Sequence, residues 1–428
     1  MTAVKTRRDF LRDSALLGAG VWLGTSLDTA RADSSPNEKL NLAVIGLGGQ
    51  GTGNMKAAGS QHNIVALCDV DDVRAGNAYE LFPAAKKFKD FRKMYDELEN
   101  QIDGVVISTP DHTHFNPAYL ALRAGKHVYL EKPMAHSVWE ARRLTKLAAE
   151  KKVATQLGVQ RHTIEGVHRV VELIQSGAIG TVSEVYSWVG GDRGMPTTPT
   201  NFPPVPGTLD WDLWLGPAKD RPYSADYVPY KWRFWWDFGT GEAGNWGCHI
   251  LDIPYWALNL KYPTKVSVPE VEVDPERTPK SMASRFEFPA EGGRGPIVLH
   301  WHHGKPKDVV DMKLPKDKDG KDPWNTVFIG DKGKLICGFG PWKLLPEDDY
   351  QDFKAPSPTI PKSPGFHKEW FTACKGGPAA TCDFAYSGPM SETVLLANAA
   401  VRAKGGFDWN AETMTATGNP NVEQYLKS

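Results

Sequence analysis

Cysteine is scarce in this sequence: there are five in 428 residues (Cys68, Cys248, Cys337, Cys374 and Cys382), with no CxxC pair and no regular spacing. A disulfide-built scaffold and a thiolate zinc finger are thereby excluded, and no metal ligand set is expected. Spacing alone leaves open whether Cys374 and Cys382 pair. Net charge is also nearly absent, at −1, so no nucleic acid and no anionic membrane surface is expected as a partner. Long apolar runs are missing too. The stretch from Ala15 to Leu23 falls far short of the roughly 20 residues a spanning helix needs. There is no internal repeat. What remains is ordinary globular composition, 41% hydrophobic and 24% charged, but with 15 tryptophans and 41 glycines, and a length that suits two domains.

The chain opens with Thr6-Arg7-Arg8-Asp9-Phe10-Leu11, then the short apolar stretch, then Ala30-Arg31-Ala32. A charged start with paired arginines, a short apolar centre and a small-x-small site make a twin-arginine export signal. Residues 1–32 are therefore expected to be removed and 33–39 to serve as a linker. The protein is expected to be exported folded to the periplasm, with no membrane association beyond the leader. That route suits an enzyme that loads its cofactor before export.

From residue 40 strands and helices alternate. Strands are expected at 40–45, 64–69, 104–108, 127–130 and 153–158, with helices from Asn54 onward and at 71–81, 117–124 and 138–151. This alternation implies an α/β fold with a doubly wound parallel sheet over residues 40–160. Over 161–428 the pattern changes. A helix at 164–176 and a strand at 182–189 precede a Pro-, Trp- and Tyr-rich segment, 190–235, which reads as a long ordered loop over a site. A helix at 245–258, short strands between 265 and 340, and closing helices at 367–376 and 386–404 imply a second α/β domain with a large, open, mostly antiparallel sheet.

The first strand runs into Gly46-Leu47-Gly48-Gly49-Gln50-Gly51, and Asp69 ends the next strand. A GxGxxG turn between strand and helix, followed by an acid about 20 residues on, is the fingerprint of a dinucleotide site. Gly46, Gly48, Gln50 and Gly51 would bring backbone N–H groups to a pyrophosphate at a helix N-terminus. Asp69 would bind the ribose hydroxyls and repel a 2′-phosphate, favouring NAD over NADP.

Ser108-Thr109-Pro110 and Glu131-Lys132-Pro133 end the third and fourth main strands, on the side where doubly wound sheets bind ligands. Lys132 is there placed to hydrogen-bond a substrate hydroxyl and stabilise an alkoxide. Asn245 and His249 are four residues apart, so on a helix they share a face, and His249 becomes a candidate general base. Asp252 falls three residues further on and could share that face.

Together with Ser-Thr-Pro-x-x-x-His ending at His114, the segment Gly158-Val159-Gln160-Arg161-His162 and the glycine-rich run to His249, these motifs resemble the Gfo/Idh/MocA (glucose–fructose oxidoreductase / inositol dehydrogenase) family. The resemblance spans residues 40–260. It implies Lys132 and His249 as catalytic residues, His114, Glu131 and Gln160 near the nicotinamide beside Thr109 and Pro110, Arg161 near substrate, and a homodimer or homotetramer. One departure stands out: family members commonly carry Asp where this chain has Asn245.

Eight of the 15 tryptophans fall within residues 188–256. Trp235 and Trp236, just before the catalytic segment, are expected to stack on a sugar, and Arg161 and Arg233 to bind its hydroxyls or a carboxylate. The expected activity is oxidation or reduction of a carbohydrate or polyol hydroxyl with a tightly bound nicotinamide recycled on the enzyme. Two alternatives remain: hydrolysis of a glycoside through transient oxidation and elimination, and sugar binding without catalysis.

Overall fold

The computed structural model describes residues 39–191, 193–269 and 273–427, so the expected export signal lies outside the described residues. Strands β1 (Asn41–Ile45), β2 (Asn63–Cys68), β3 (Lys86–Phe88), β4 (Gly104–Ile107), β5 (His127–Leu130) and β6 (Thr155–Leu157) form one sheet in the order β3-β2-β1-β4-β5-β6. Every pairing in it is parallel. The apolar runs of β1 and β4 are buried on both faces, as strands flanked by crossover helices must be. Chain direction across the sheet reverses between β1 and β4, and the crevice above their carboxyl ends is where such sheets bind ligands. Strand β3 was not foreseen, because Lys-Lys-Phe carries no apolar alternation.

The second sheet contains β7 (Val182–Val189), β8 (Lys265–Ser267), β9 (Ala283–Phe288), β10 (Ile297–His303), β11 (Thr326–Gly330), β12 (Lys334–Cys337), β13 (Trp342–Leu345), β14 (Phe407–Asn410) and β15 (Thr415–Thr417). Its order is β13-β12-β11-β7-β10-β9-β8-β14-β15. Only β7 and β10 pair in parallel. Helices Glu165–Gln175, Cys248–Ala257 and Phe384–Arg402 pack against one another beside this sheet. A continuous buried cluster reaches from β1 through these helices to β9 and β10. Among the described residues no helix is long and apolar enough to cross a membrane. All five cysteines are buried and none forms a disulfide, so Cys374 and Cys382 do not pair.

The segment after β7 is less of a bare loop than its composition suggested. It contains a short helix, Trp211–Leu215, and a 3-10 turn, Lys231–Phe234. It is pinned to the chain just after β2: Asp72 N–H donates to Thr208 O at 3.0 Å and Asp210 N–H to Val70 O at 2.9 Å. The segment therefore roofs the crevice rather than hanging beside it.

Candidate active site

A cavity of about 880 Å³ lies under this roof, running from the glycine turn to His249. At one end Gly46 (φ +82°) packs so closely on β4 that a Cβ would lie 2.7 Å from the Ser108 carbonyl, and at Gly51 a Cβ would fall 2.0 Å from Gly46 O. Only glycine permits this approach of turn to sheet. Helix Gln50–Gly59 begins directly after it, four residues earlier than its periodicity suggested, with no side-chain cap and no acid in its first turn. Its positive end suits an anion. Asp69 holds the turn: its Oδ2 accepts from Leu47 N–H at 2.7 Å and its Oδ1 from Asp71 N–H at 3.0 Å. Burial pushes the Asp69 carboxyl above its ordinary value, opposed by those two N–H groups and by Arg74. Gly46, Gly48, Gln50, Asp69, Thr109 and Pro110 line this end of the cavity, whereas Gly51 shapes the turn without lining it.

In the middle, Glu131 is fixed from two sides, by Asn54 Nδ2 at 2.9 Å and Gln160 Nε2 at 2.7 Å on the same oxygen. Gly158 must be glycine, since a Cβ there would lie 2.6 Å from the Glu131 carboxyl group. His114 corrects an expectation. It is 1% exposed and does not line the cavity, because Pro133 O and Thr109 O bind its two ring nitrogens at 2.7 and 2.8 Å. It ties the Thr109 loop to the Lys132 loop from behind.

At the far end Lys132 donates to the backbone carbonyl of Asn245 at 2.8 Å and to Asn245 Oδ1 at 3.2 Å. Burial pulls the Lys132 ammonium below its ordinary value, against the opposing charges of Glu131 and Asp111. The predicted helix at 245–258 is interrupted at its start: Ala243–Gly247 is a π-turn, and the α-helix runs from Cys248 to Ala257. Such turns often mark functional sites. Asn245 and His249 both line the cavity, but Asn245 bonds to Lys132, not to His249. Its Nδ2 donates to buried Glu242 at 3.1 Å, and Glu242 in turn pairs with Arg193 at 2.7 Å. Glu242 thus supplies a carboxylate three residues before Asn245, bonded to its amide. Sequence reading missed it, because three residues on a π-turn give no recognised spacing.

His249 Nδ1 is buried without a hydrogen-bond partner among the described residues. Burial, and after it the charges of Lys132 and Arg161, hold the ring well below its ordinary value. Asp252 does not share this face. It is buried and binds His162 Nδ1 at 3.0 Å and the Tyr386 hydroxyl at 2.7 Å, behind Arg161.

The tryptophan expectation is also corrected. Trp235 is 0% and Trp236 3% exposed. Trp235 sits in an apolar cluster with Trp214, Tyr227 and Phe238, and Trp236 donates its indole N–H to Asp274 O. Neither lines the cavity; Trp214, Trp232 and Trp246 do. Adjacent residues on an irregular segment cannot be sorted into wall and core without the tertiary packing. Arg161 lies over the Trp246 and Phe339 rings at 5.1 and 4.3 Å, and Arg233 over Tyr230 and Trp232 at 4.5 and 4.3 Å.

A parallel sheet with a glycine-turn phosphate cradle, joined to an open-sheet α/β half that completes the cavity, is the architecture of a dinucleotide-binding protein. Two family descriptions match the chain: "Oxidoreductase family, NAD-binding Rossmann fold" over residues 40–159 and "Oxidoreductase family, C-terminal alpha/beta domain" over 163–288. The chain belongs to the Gfo/Idh/MocA family, and its N-terminal half is that family's NAD-binding Rossmann domain.

Among curated relatives, it is 27% identical over 233 residues to inositol 2-dehydrogenase of Salmonella typhimurium, covering 53% of this chain and 56% of that one. It is 32% identical over 176 residues to a glycosyl hydrolase family 109 protein of Solibacter usitatus, covering 37% and 38%. The matches thus span about half or less of those relatives' lengths. Solved structures share the fold. The WlbA dehydrogenase of Chromobacterium violaceum, in complex with NADH and UDP-GlcNAcA, aligns with TM-score 0.61 at 15% identity over 88% of this chain and 98% of that one. Aldose–aldose oxidoreductase of Caulobacter crescentus, complexed with glycerol, aligns with TM-score 0.57 at 16% identity over 87% and 100%.

Proposed function

We propose that this protein oxidises or reduces a carbohydrate or polyol hydroxyl, with Lys132 and His249 as its catalytic residues and its NAD retained through each cycle. The observation that carries the reading is the convergence of Lys132 and His249 at one end of a cavity whose other end is a dinucleotide cradle. Bound NAD supplies a hydride acceptor or donor. The chain's own residues do the rest. Lys132, anchored on Asn245, hydrogen-bonds the reacting oxygen and stabilises it as an alkoxide. His249, neutral at physiological pH, accepts the hydroxyl proton. Glu131 and Gln160 form the wall beside the nicotinamide end, and the roof excludes water. Asp69 favours NAD over NADP by charge repulsion of a 2′-phosphate.

Periplasmic location by the twin-arginine route belongs to the same reading, supported by Arg7-Arg8 and the segment after them. So does assembly as a homodimer or homotetramer. A compartment without free NAD requires the cofactor to be reduced and reoxidised in place, which two successive sugar substrates achieve.

The test is the nucleotide released on denaturing the purified protein, followed by titration of the folded protein with myo-inositol, D-glucose and levoglucosan. Nearly one NAD(H) per chain is expected, reduced by one sugar and reoxidised by an aldose. Apo-protein that binds NAD only loosely, or NADP released in place of NAD, would overturn retention or the role of Asp69. Release of free sugar from an aryl glycoside without net redox change would favour hydrolysis.

The pH dependence follows from His249. A ring held well below the ordinary value of about 6.5 stays neutral, and able to take a proton, throughout the physiological range, so the acid limb of oxidation falls below that of an ordinary histidine. Arg161→Met removes a like charge, which raises the His249 pKa and moves that limb to higher pH. Coincident limbs in wild type and variant, measured as the rate of nicotinamide reduction in single turnover, would remove His249 from the role of base.

A further inference from the structure

Around Lys132 and His249 the charged side chains of the cavity differ in how far they are already paired. Glu131 accepts from Asn54 and Gln160 on one oxygen, Asp111 accepts from Thr240 N–H and its hydroxyl on one oxygen, and Glu242 is taken by Arg193 and Asn245. Arg161 and Arg233 are different. Both line the cavity, and among the described residues no carboxylate pairs with either. Arg233 makes one bond, from Nη1 to Tyr230 O at 3.2 Å, and Arg161 makes none. Each guanidinium is nonetheless laid against two aromatic rings, which fixes its position while leaving most of its five N–H donors unused.

A half-buried guanidinium without a counter-ion is costly unless an anion arrives. Burial lowers the Arg161 pKa with no acid opposing it. The charge of Arg161 reaches His249 and that of Arg233 reaches Lys132, so both cations lie close to the reacting pair.

We infer that the sugar this enzyme turns over is an acid, its carboxylate held by Arg161 with Arg233 as the second cation, and its reacting carbinol at Lys132 and His249. The inference rests on the oxidoreductase reading for the carbinol, but its anion arm is tested by binding alone. A planar carboxylate matches the guanidinium fork with two parallel bonds; a sugar phosphate shares the anionic chemistry and is the other source to separate.

The experiment uses the NAD-loaded protein and follows tryptophan fluorescence, since Trp246 and Trp232 carry the two arginines. D-glucuronate, D-galacturonate, D-glucose 6-phosphate, D-glucose and D-galactose are titrated at low and high salt. A uronate is expected to bind about tenfold or more tightly than its neutral hexose, the ratio worth one charge-assisted hydrogen bond, and to lose that preference at high salt and in Arg161→Met and Arg233→Met. Arg161→Lys, which keeps the charge, should restore part of it, and nucleotide content reports whether each variant folds.

Equal binding of acid and neutral hexose, no binding of either uronate, or a preference that survives both Met variants overturns the inference. Binding of D-glucose 6-phosphate alone overturns the carboxylate. Reduced-nicotinamide absorbance, read in the same titration, separates the two readings: a uronate that binds without reducing NAD counts against oxidation while leaving the anion site standing. A neutral hexose that reduces NAD while binding no less tightly than the uronates keeps the oxidoreductase and sinks the acid.

Discussion

Lys132→Met should slow nicotinamide reduction by about 10²–10³-fold, about 3–4 kcal/mol of barrier, as removal of a positioned donor to a developing oxyanion does. The size follows from the lysine's setting. Its ammonium is held by Asn245 through both a backbone and a side-chain oxygen, so it arrives at the reacting oxygen already oriented. Burial pulls its pKa down, and in a site of low polarity its charge acts on the oxygen with little screening. Methionine keeps the length and the packing but not the charge. Nucleotide content should be unchanged, because the glycine turn, Asp69 and the N-terminus of helix Gln50–Gly59 lie at the opposite end of the cavity. The loss should appear in kcat more than in KM if the interaction is made chiefly in the transition state. Near-normal turnover of the variant would reduce Lys132 to a structural residue and would leave Arg233 or Arg193 as the cation facing the oxygen.

Glu392→Ala should lower stability by about 3–5 kcal/mol, the cost of stripping one partner from a buried ion pair. Glu392 and Arg142 have side chains 1% and 8% exposed. They meet through two parallel bonds of 2.6 and 2.8 Å, and a third from Arg142 reaches Ala411 O at 2.6 Å. This pair joins helix Val138–Lys151 of the first sheet to helix Phe384–Arg402 beside the second, 250 residues apart. Among the described residues, the alanine variant leaves the buried guanidinium with the Ala411 carbonyl and the Tyr262 ring, 4.6 Å away. Denaturant midpoints of wild type and variant measure the loss. Replacing both residues by methionine should recover most of it, since the unpaired charge goes too. A double variant as unstable as Glu392→Ala would mean that the pair's geometry, not the stranded charge, sets the cost.

These two residues differ in how visible they are in the chain. Lys132 follows a four-residue apolar strand and precedes proline, so position along the chain already places it at a carboxyl strand end. Arg142 and Glu392 are invisible as a pair, because nothing local in a helix names a partner 250 residues away. The same contrast runs through the site. Gly46 to Gly51 and Asp69 are legible because a dinucleotide cradle is built from neighbours in sequence, where backbone approach dictates glycine. The motif around His114 puts that residue in the right loop but in the wrong role, since nothing in it records that two carbonyls occupy both ring nitrogens.

Alternating apolar strands and amphipathic helices, glycine at a close backbone approach, and acids or lysines at strand ends are set by interactions within a few residues. The α/β architecture, the dinucleotide cradle and the presence of Lys132 and His249 in one cavity could therefore be read from the chain itself. Which of Trp235, Trp236 and Trp246 faces the cavity, that Asn245 serves Lys132 and not His249, and that Glu242 stands behind it were decided by packing. Each depends on an irregular segment, the roof or the π-turn at Ala243–Gly247. There no fixed period ties residue number to direction, and only contacts from distant strands select the face.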